Sequence, residues 1–477
     1  MADFETDYLI IGAGAVGMAF ADTLLDETDA HITFVDRHAK PGGHWNDAYS
    51  FVALHQPSAF YGVNSTQLGP QEKDTVGLNA GYYSLATGSE VCAYYESVMA
   101  RRFLPSGRVS YFPLSDYLGD GKFESILTGK QTEVAIRKKT VDATYYGTSV
   151  PSTHTPKFET AEGVRMVPPN ALPQLWQTPD AVPSQFVILG AGKTAMDVGV
   201  WLQQAGVDPA DIVWVRPRDT WMLNRGKTQP GIEFFDDTIG GQADIMDALA
   251  KAEDADDLFA RLEKSGVMLR LDLDVWPTMF HYPTISEGEV EILRKIENIV
   301  RMGHVRRIEP GRMIFDGGDT ETADDALFID CTATAVERRP VVPQFQGDLI
   351  TLQMIRVPQP AFSAALTAFI EAHYDDDATK NSLGQPVPLP DGIDTYPRAN
   401  LVNMMNQFQW SQRLELQEWM VKARLDGFGK TLFSVAPDDT EKQATLQRFR
   451  DNAQAAIANL PKLIAQETKE QVKADAA

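Results

Sequence analysis

The residues Gly12-Ala13-Gly14-Ala15-Val16-Gly17 carry the first spacing in this chain that could do chemistry. Glycines set as G-x-G-x-x-G allow a tight turn, let the backbone approach a pyrophosphate, and pack a helix closely on a strand. A helix starting there presents free N–H groups and its positive dipole end to phosphate. Asp36 stands 19 positions after Gly17, where a carboxylate would accept a ribose hydroxyl. The arrangement returns as Gly190-Ala191-Gly192-Lys193-Thr194-Ala195, with alanine in the third glycine position, which the fingerprint tolerates. Here the strand-end position is basic, Arg216-Pro217-Arg218, and a guanidinium there suits a 2′-phosphate and favours NADP over NAD. Lys193 is placed to reach a phosphate. Gly192-Lys193-Thr194 is not the end of a P-loop, because that pattern needs a glycine where Val187 stands.

Residue types exclude other chemistry. The two cysteines, Cys92 and Cys331, are far apart and form neither a disulfide framework nor a close redox pair. The eight histidines lack a paired-ligand spacing, so no metal is expected. With 43 basic and 66 acidic side chains the net charge is −23, which repels nucleic acid and anionic lipid. No stretch approaches the ~18 uncharged apolar residues of a membrane span. The N-terminus has no signal pattern. These features predict a cytoplasmic protein with neither nucleic acid nor membrane as a partner.

Two glycine turns need two sets of strands and helices to hold them. Asp7-Tyr8-Leu9-Ile10-Ile11 reads as a buried parallel strand, a helix with Met18, Phe20, Leu24 and Leu25 follows, and Ile32–Val35 is the next strand. Phe186–Leu189, a helix through Val200, Trp201 and Leu202, and Ile212–Val215 repeat the unit. Between them, Glu133–Ile136 and Thr140–Tyr145 read as strands. Pro151 to Pro183 reads as a linker rich in proline and polar residues. Residues 241–265 and 287–302 have helical apolar spacing, Ala326–Cys331 is strand-like, and 361–372 and 399–425 are helical. Leu446, Phe449, Ala453, Ala456, Ile457, Leu460 and Ile464 mark a final amphipathic helix whose stripe is expected to pack in the core. At 477 residues, two or three domains are expected. The fold class is α/β with two Rossmann-like dinucleotide-binding domains.

Two such units in one chain resemble the flavin-containing monooxygenases and their plant and bacterial relatives. Three features carry the likeness. Gly42-Gly43-His44-Trp45 resembles a G-G-x-W segment beside the flavin, Leu54-His55-Gln56-Pro57-Ser58 resembles a Leu-His-x-Pro segment, and Ala333-Thr334-Ala335 resembles an Ala-Thr-Gly turn. It covers residues 1–60, 183–220 and 326–340. That family's F-x-G-x-x-x-H-x-x-x-Y fingerprint is missing: residues 160–183 hold no Phe, His or Tyr.

The resemblance implies FAD at the first turn, with Asp36, Arg37, Gly43, His44 and Trp45 as cofactor neighbours. It implies NADPH at the second, with Lys193, Thr194, Arg216 and Arg218, while Ala333 and Thr334 return the chain to the flavin. The implied layout is an FAD-binding domain over 1–155 and again over 326–477, the latter ending in helices. An NADPH-binding domain is inserted over 156–325, carrying a helical insert at 226–302; its helical stretch, 241–302, is expected to cover the substrate. His55 and Gln56 are the implied catalytic pair, with Asn64 a lesser candidate. The implied activity is a monooxygenase that forms a flavin hydroperoxide from O2 and oxygenates a nitrogen, sulfur or ketone centre of a small molecule. The missing fingerprint favours an alternative, an NADPH-dependent flavin reductase or dehydrogenase. A second alternative is a non-catalytic nucleotide-bound interaction protein. The oligomeric state is open and includes a homodimer.

Overall fold

The structure is a computed structural model and describes residues 2–175, 177, 182–334, 336–337 and 339–475. Its core is two parallel sheets. In the first, Phe4–Ile11 lies between Ile32–Val35 and Gln131–Asp142, parallel to both, and Val109–Phe112 extends the sheet beyond Ile32–Val35. The far end of the chain returns to it: Leu349–Thr351 pairs in parallel with Gln131–Asp142, and Phe345–Gln346 hairpins onto Leu349–Thr351. In the second sheet, Phe186–Leu189 is central, with Ile212–Val215 and then Asn298–Val300 on one side. Leu327–Asp330 and then Arg165–Val167 lie on the other. Strands Ile32–Val35 and Phe186–Leu189 are buried along their whole length, as parallel strands covered on both faces must be.

Helix Ala15–Glu27 packs between the first sheet and helix Pro360–His373. Small residues permit the approach: Gly17, Ala19 and Ala21 on one helix, Ala361, Ala364, Ala365 and Ala368 on the other, all buried. Helix Lys193–Gln204 plays the same part on the second sheet, burying Ala195, Met196, Val198 and Leu202.

Several expected elements differ in form. Glu133–Ile136 and Thr140–Tyr145 are parts of one strand, Gln131–Asp142, whose register against Phe4–Ile11 shifts once to absorb the length. The helical spacing at 287–302 holds only for Glu287–Leu293. Asn298-Ile299-Val300 is instead an edge strand, because pairing with Val213–Val215 outweighs a local helical pattern. The linker at 151–183 contains Glu159–Thr160 and Arg165–Val167, both paired into sheets. Leu327–Asp330, which lies past residue 325, belongs to the second sheet, so the chain rejoins the first only at Phe345–Gln346.

The helices expected over 241–265 are Phe235–Lys251 and Ala255–Lys264, the second capped by Asp254. Those over 399–425 are Tyr396–Ser411 and Leu414–Lys422. The final helix, Thr440–Asp475, lies along Phe235–Lys251 and buries Ala456, Leu460 and Leu463 there, while Ile457 faces solvent. Among the described residues no helix is long and apolar enough to cross a membrane. None of their His, Cys, Asp and Glu side chains form a group of three able to hold a metal.

Candidate functional site

Both glycine turns open on one cleft of about 2430 Å³. At the first turn the strand Phe4–Ile11 ends in Gly12 at φ +98°, a conformation that L side chains rarely adopt. Gly17 has no room for a side chain, since a Cβ would collide with the Gly12 carbonyl oxygen. Gly14 begins helix Ala15–Glu27 with no side-chain cap, so the first N–H groups are left for an outside acceptor. A Cβ on Gly14 would lie 3.5 Å from the Cα of Gly43. The turn Gly43–Asp47 thus folds over the helix start, held by the Gly42 N–H donating to the Ala13 carbonyl at 2.9 Å.

Asp36, at the end of Ile32–Val35, is buried and already engaged. It accepts from the Ala13 N–H at 2.5 Å and the His38 N–H at 2.7 Å. The His38 ring lies between two carboxylates, Nδ1 at 3.2 Å from Asp36 and Nε2 at 2.8 Å from Asp47. The hydrogen bond to Asp36 leads, and with Asp47 it overcomes burial to raise the His38 pKa to about 9. Arg37 is exposed at the cleft rim and pairs there with Asp116.

Next along the cleft wall come His44, Trp45, His55 and Gln56. Trp45 donates from Nε1 to the Tyr61 hydroxyl at 2.7 Å, and its ring stacks on His44. Burial lowers His44 to about 4. Burial, then the neighbouring Lys193, lowers His55 to about 4. Both rings are therefore neutral near pH 7. Gln56 reaches the Pro358 carbonyl at 3.4 Å. Asn64 does not line the cleft; its side-chain oxygen accepts from the Leu425 N–H.

At the second turn Gly190 sits at φ +117°, and a Cβ there would lie 2.7 Å from the Cys331 carbonyl oxygen. Gly192 begins helix Lys193–Gln204 without a side-chain cap, and a Cβ there would meet nothing within 4 Å. Open space in front of bare helix N–H groups is what a phosphate requires. Lys193 does not point into that space. It pairs with Asp197, one helical turn on, and with Glu289 at 3.4 Å. Arg225 pairs with the other oxygen of Glu289 at 2.6 Å, the Tyr49 hydroxyl donates to Asp197 at 2.7 Å, and His55 Nε2 stands 3.9 Å from the same Asp197 oxygen.

Two cations and two anions thus form a largely buried quartet where helix Lys193–Gln204, helix Glu287–Leu293 and the turn Arg225–Thr228 meet. Burial pushes the Lys193 ammonium down, but Asp197 and Glu289 outweigh it and its pKa ends above the usual value. Burial pushes Glu289 up, but Lys193 and Arg225 outweigh it and bring it to about 2.

Arg216 and Arg218 part company. Arg216 is buried over the Trp214 ring at 4.9 Å and faces Asp219 at 3.3 Å and Asp272 at 3.9 Å. Arg218 is exposed on the cleft wall, as are His304 and Arg306. Ala333 and Thr334 line the cleft, and Ala335 falls outside the described residues. The helical insert contributes no helix to the wall. It contributes the segment 278–284, which faces a second segment, 387–395.

Tyr49, Asp197, Arg225, Glu289, His38 and Asp47 are the site residues that sequence reasoning missed. Only Asp197, four residues after Lys193 on a helix, carried a local signal.

Fold and site together define a protein with two Rossmann-like units facing one cleft. The family model for an NAD(P)-binding Rossmann-like domain matches residues 10–64. An uncharacterized protein of Mycobacterium tuberculosis and one of Mycobacterium bovis are each 43% identical over 460 residues, spanning 96% of this chain and 84% of theirs. The chain belongs to the same family as these mycobacterial proteins.

Solved structures similar to the chain include a flavin-containing monooxygenase from Stenotrophomonas maltophilia, 16% identical over 86% of this chain and 100% of that one, TM-score 0.42. The open form of cyclohexanone monooxygenase is 12% identical over 99% and 98%, TM-score 0.46. A bacillithiol disulfide reductase from Bacillus cereus is 14% identical over 78% and 99%, TM-score 0.44.

Proposed function

We propose that the chain is a flavoprotein monooxygenase that binds FAD at the Gly12–Gly17 turn and NADPH at the Gly190–Ala195 turn, and oxygenates a small-molecule substrate with O2. The observation that carries it is the pair of uncapped helix starts, Gly14 and Gly192, opening on one cleft. A Cβ at Gly14 would meet only the backbone of Gly43 and one at Gly192 nothing within 4 Å, so no side chain crowds either helix start, as phosphate binding there would require.

FAD would be held by the Gly12, Gly14 and Gly17 turn with Ala15, Val16 and Asp36, and covered by Gly43, His44 and Trp45. NADPH would be held by Gly190, Gly192 and Thr194, with Arg218 toward the 2′-phosphate. Bound FAD supplies hydride acceptance from NADPH and reaction with O2. The chain's own part is to orient the two cofactors and keep water out, with Trp45, Tyr61 and the segments 278–284 and 387–395 forming the walls. His55 and Gln56 face the reacting region. With a pKa near 4, His55 is a hydrogen-bond partner rather than an acid there.

A second reading, an NADPH-dependent flavin reductase without oxygen transfer, is favoured by the missing fingerprint upstream of Gly190. One experiment separates the two. The FAD-loaded protein is reduced anaerobically with NADPH or NADH and then mixed with O2 in the presence of candidate nitrogen, sulfur and ketone substrates. NADPH consumption matched by labelled oxygen in a product supports the monooxygenase. Stoichiometric H2O2 with every substrate supports the reductase. Absence of reduction by either nucleotide sinks the assignment of the second turn.

A further inference from the structure

We propose that His38 is a cofactor-positioning residue: a cation held between Asp36 and Asp47, it fastens the strand end beside the first glycine turn to the Gly43–Asp47 turn and so closes the flavin site. This rests on the assignment of FAD to that turn.

The geometry fixes the charge. Both ring nitrogens face carboxylate oxygens, Nδ1 at 3.2 Å from Asp36 and Nε2 at 2.8 Å from Asp47. A neutral imidazole has one N–H and one lone pair, so one of its nitrogens would turn a lone pair toward a carboxylate. Only the imidazolium donates to both.

The two carboxylates belong to different parts of the site. Asp36 also accepts the Ala13 N–H inside the glycine turn. Asp47 ends the turn that carries Gly43, His44 and Trp45, and its own carbonyl accepts from Ser152 Oγ at 2.5 Å and Asn170 Nδ2 at 3.1 Å. The imidazolium therefore links the floor of the first cradle to its cover, and the Asp47 carbonyl separately ties that cover to Ser152 and Asn170. Without that cation, Asp36 and Asp47 would face each other as like charges across the mouth of a site meant for a pyrophosphate.

The titratable groups around the ring are few. Asp36 and Asp47 face it directly, and His44, on the Asp47 turn, is held neutral by burial. Arg37 is paired with Asp116 at the cleft rim, and the turn after Val109–Phe112 meets His38 through the Leu114 N–H to its carbonyl. Because the clamp raises the pKa from 6.5 to about 9, its contribution is complete below pH 6.5 and is lost as pH rises through 9.

The test is flavin affinity, read as quenching of FAD fluorescence by the purified apoprotein between pH 6.5 and 10. Three proteins are compared, the natural chain, His38→Gln and His38→Arg, and thermal melting verifies that each is folded. Because flavin would favour the clamped form, the natural chain is expected to lose up to roughly tenfold in affinity as pH rises through 9 toward 10, one charge-assisted hydrogen bond's worth. His38→Gln is expected to be weakened by a similar factor at pH 7 and to show no step. His38→Arg, cationic throughout, is expected to bind well at pH 7 and to lack the step, which separates His38 from any other group titrating in that range.

A flat profile in the natural chain, or unchanged affinity in His38→Gln, overturns the clamp while leaving FAD binding standing. A step retained in His38→Arg also overturns it. Absence of flavin uptake at every pH overturns both the clamp and the FAD assignment.

Discussion

Replacing Glu289 with glutamine should destabilise the protein at neutral pH by about 3 kcal/mol. Glu289 is the third residue of helix Glu287–Leu293 and does two jobs there. Its side chain accepts from the Ser286 N–H at 2.8 Å, completing a capping box, and its two oxygens meet Arg225 at 2.6 Å and Lys193 at 3.4 Å. Glutamine keeps an acceptor for the cap and removes only the charge. A carboxyl lowered from 4.5 to about 2 is favoured as an anion by about 3 kcal/mol, at roughly 1.4 kcal/mol per pH unit. Breaking a buried pair costs about the same, roughly 3–5 kcal/mol, because the remaining cation is left uncompensated. Arg225 would keep only the His55 carbonyl at 2.9 Å and Asn79 Oδ1 at 3.3 Å.

Urea unfolding at fixed pH measures the loss as a lower midpoint with an unchanged slope. The pH dependence has a definite sign. A depressed carboxyl stabilises fully above pH 4.5 and ceases to do so as pH falls through 2, so the gap between natural chain and variant should close over that range. Glu289→Ala should lose about 1 kcal/mol more than Glu289→Gln, since the cap goes too. Adding Arg225→Met to Glu289→Gln should recover most of the loss. A gap below about 1 kcal/mol at pH 7, or one that persists unchanged at pH 3, would show that the quartet is not held by charge.

Three further outcomes follow from glycine geometry and from one half-buried arginine. Gly192→Ala should leave the unfolding midpoint unchanged, as φ is −82° and no atom lies within 4 Å, yet weaken NADPH binding in a calorimetric titration by at least roughly tenfold. Gly190→Ala, at φ +117° and 2.7 Å from a carbonyl oxygen, should instead cost about 2 kcal/mol or more of stability; the reverse pattern would refute the cradle. Arg424→Met should leave the carbonyls of Ala59, Tyr61 and Val63, now bonded at 2.9, 2.8 and 2.5 Å, without their donor. Proteolysis between residues 59 and 63 should then become measurable in the folded protein, and an unchanged digestion pattern would exclude Arg424 as that loop's anchor.

The two glycine turns and their flanking strands were legible because every requirement lay within about 30 residues, the length of a βαβ unit. Ile32–Val35 and Phe186–Leu189 match their expected limits for that reason. Asn298–Val300 was not legible, since Ile292, Leu293, Ile296 and Ile299 carry a helical rhythm and only the partner strand, about 85 residues away in sequence, decides otherwise. The quartet was hidden in the same way. Nothing near Glu289 in the sequence signals that Lys193 and Arg225 will stand over it, because ion pairing follows from the fold and leaves no periodic trace.

The quartet also changes which residues can serve phosphate. By residue type, Lys193 and Arg216 were the natural partners for the second cofactor's charges, yet each is committed, one to Asp197 and Glu289 and the other to Asp219 and Asp272. Freeing Lys193 would leave Asp197 without its cation and Glu289 with Arg225 alone, an unfavourable exchange for one contact at the rim of an open cleft. In the proposed reading, the pyrophosphates therefore rest on backbone N–H groups at Gly14 and Gly192, and Arg218 alone of the three expected cations remains available toward the cleft. Discrimination between NADPH and NADH should accordingly follow Arg218 and be nearly indifferent to Arg216. Arg218→Ala should raise the KM for NADPH by at least roughly tenfold, the value of one charge-assisted contact, with little change for NADH. An equal loss for both nucleotides would show that Arg218 does not read the 2′-phosphate.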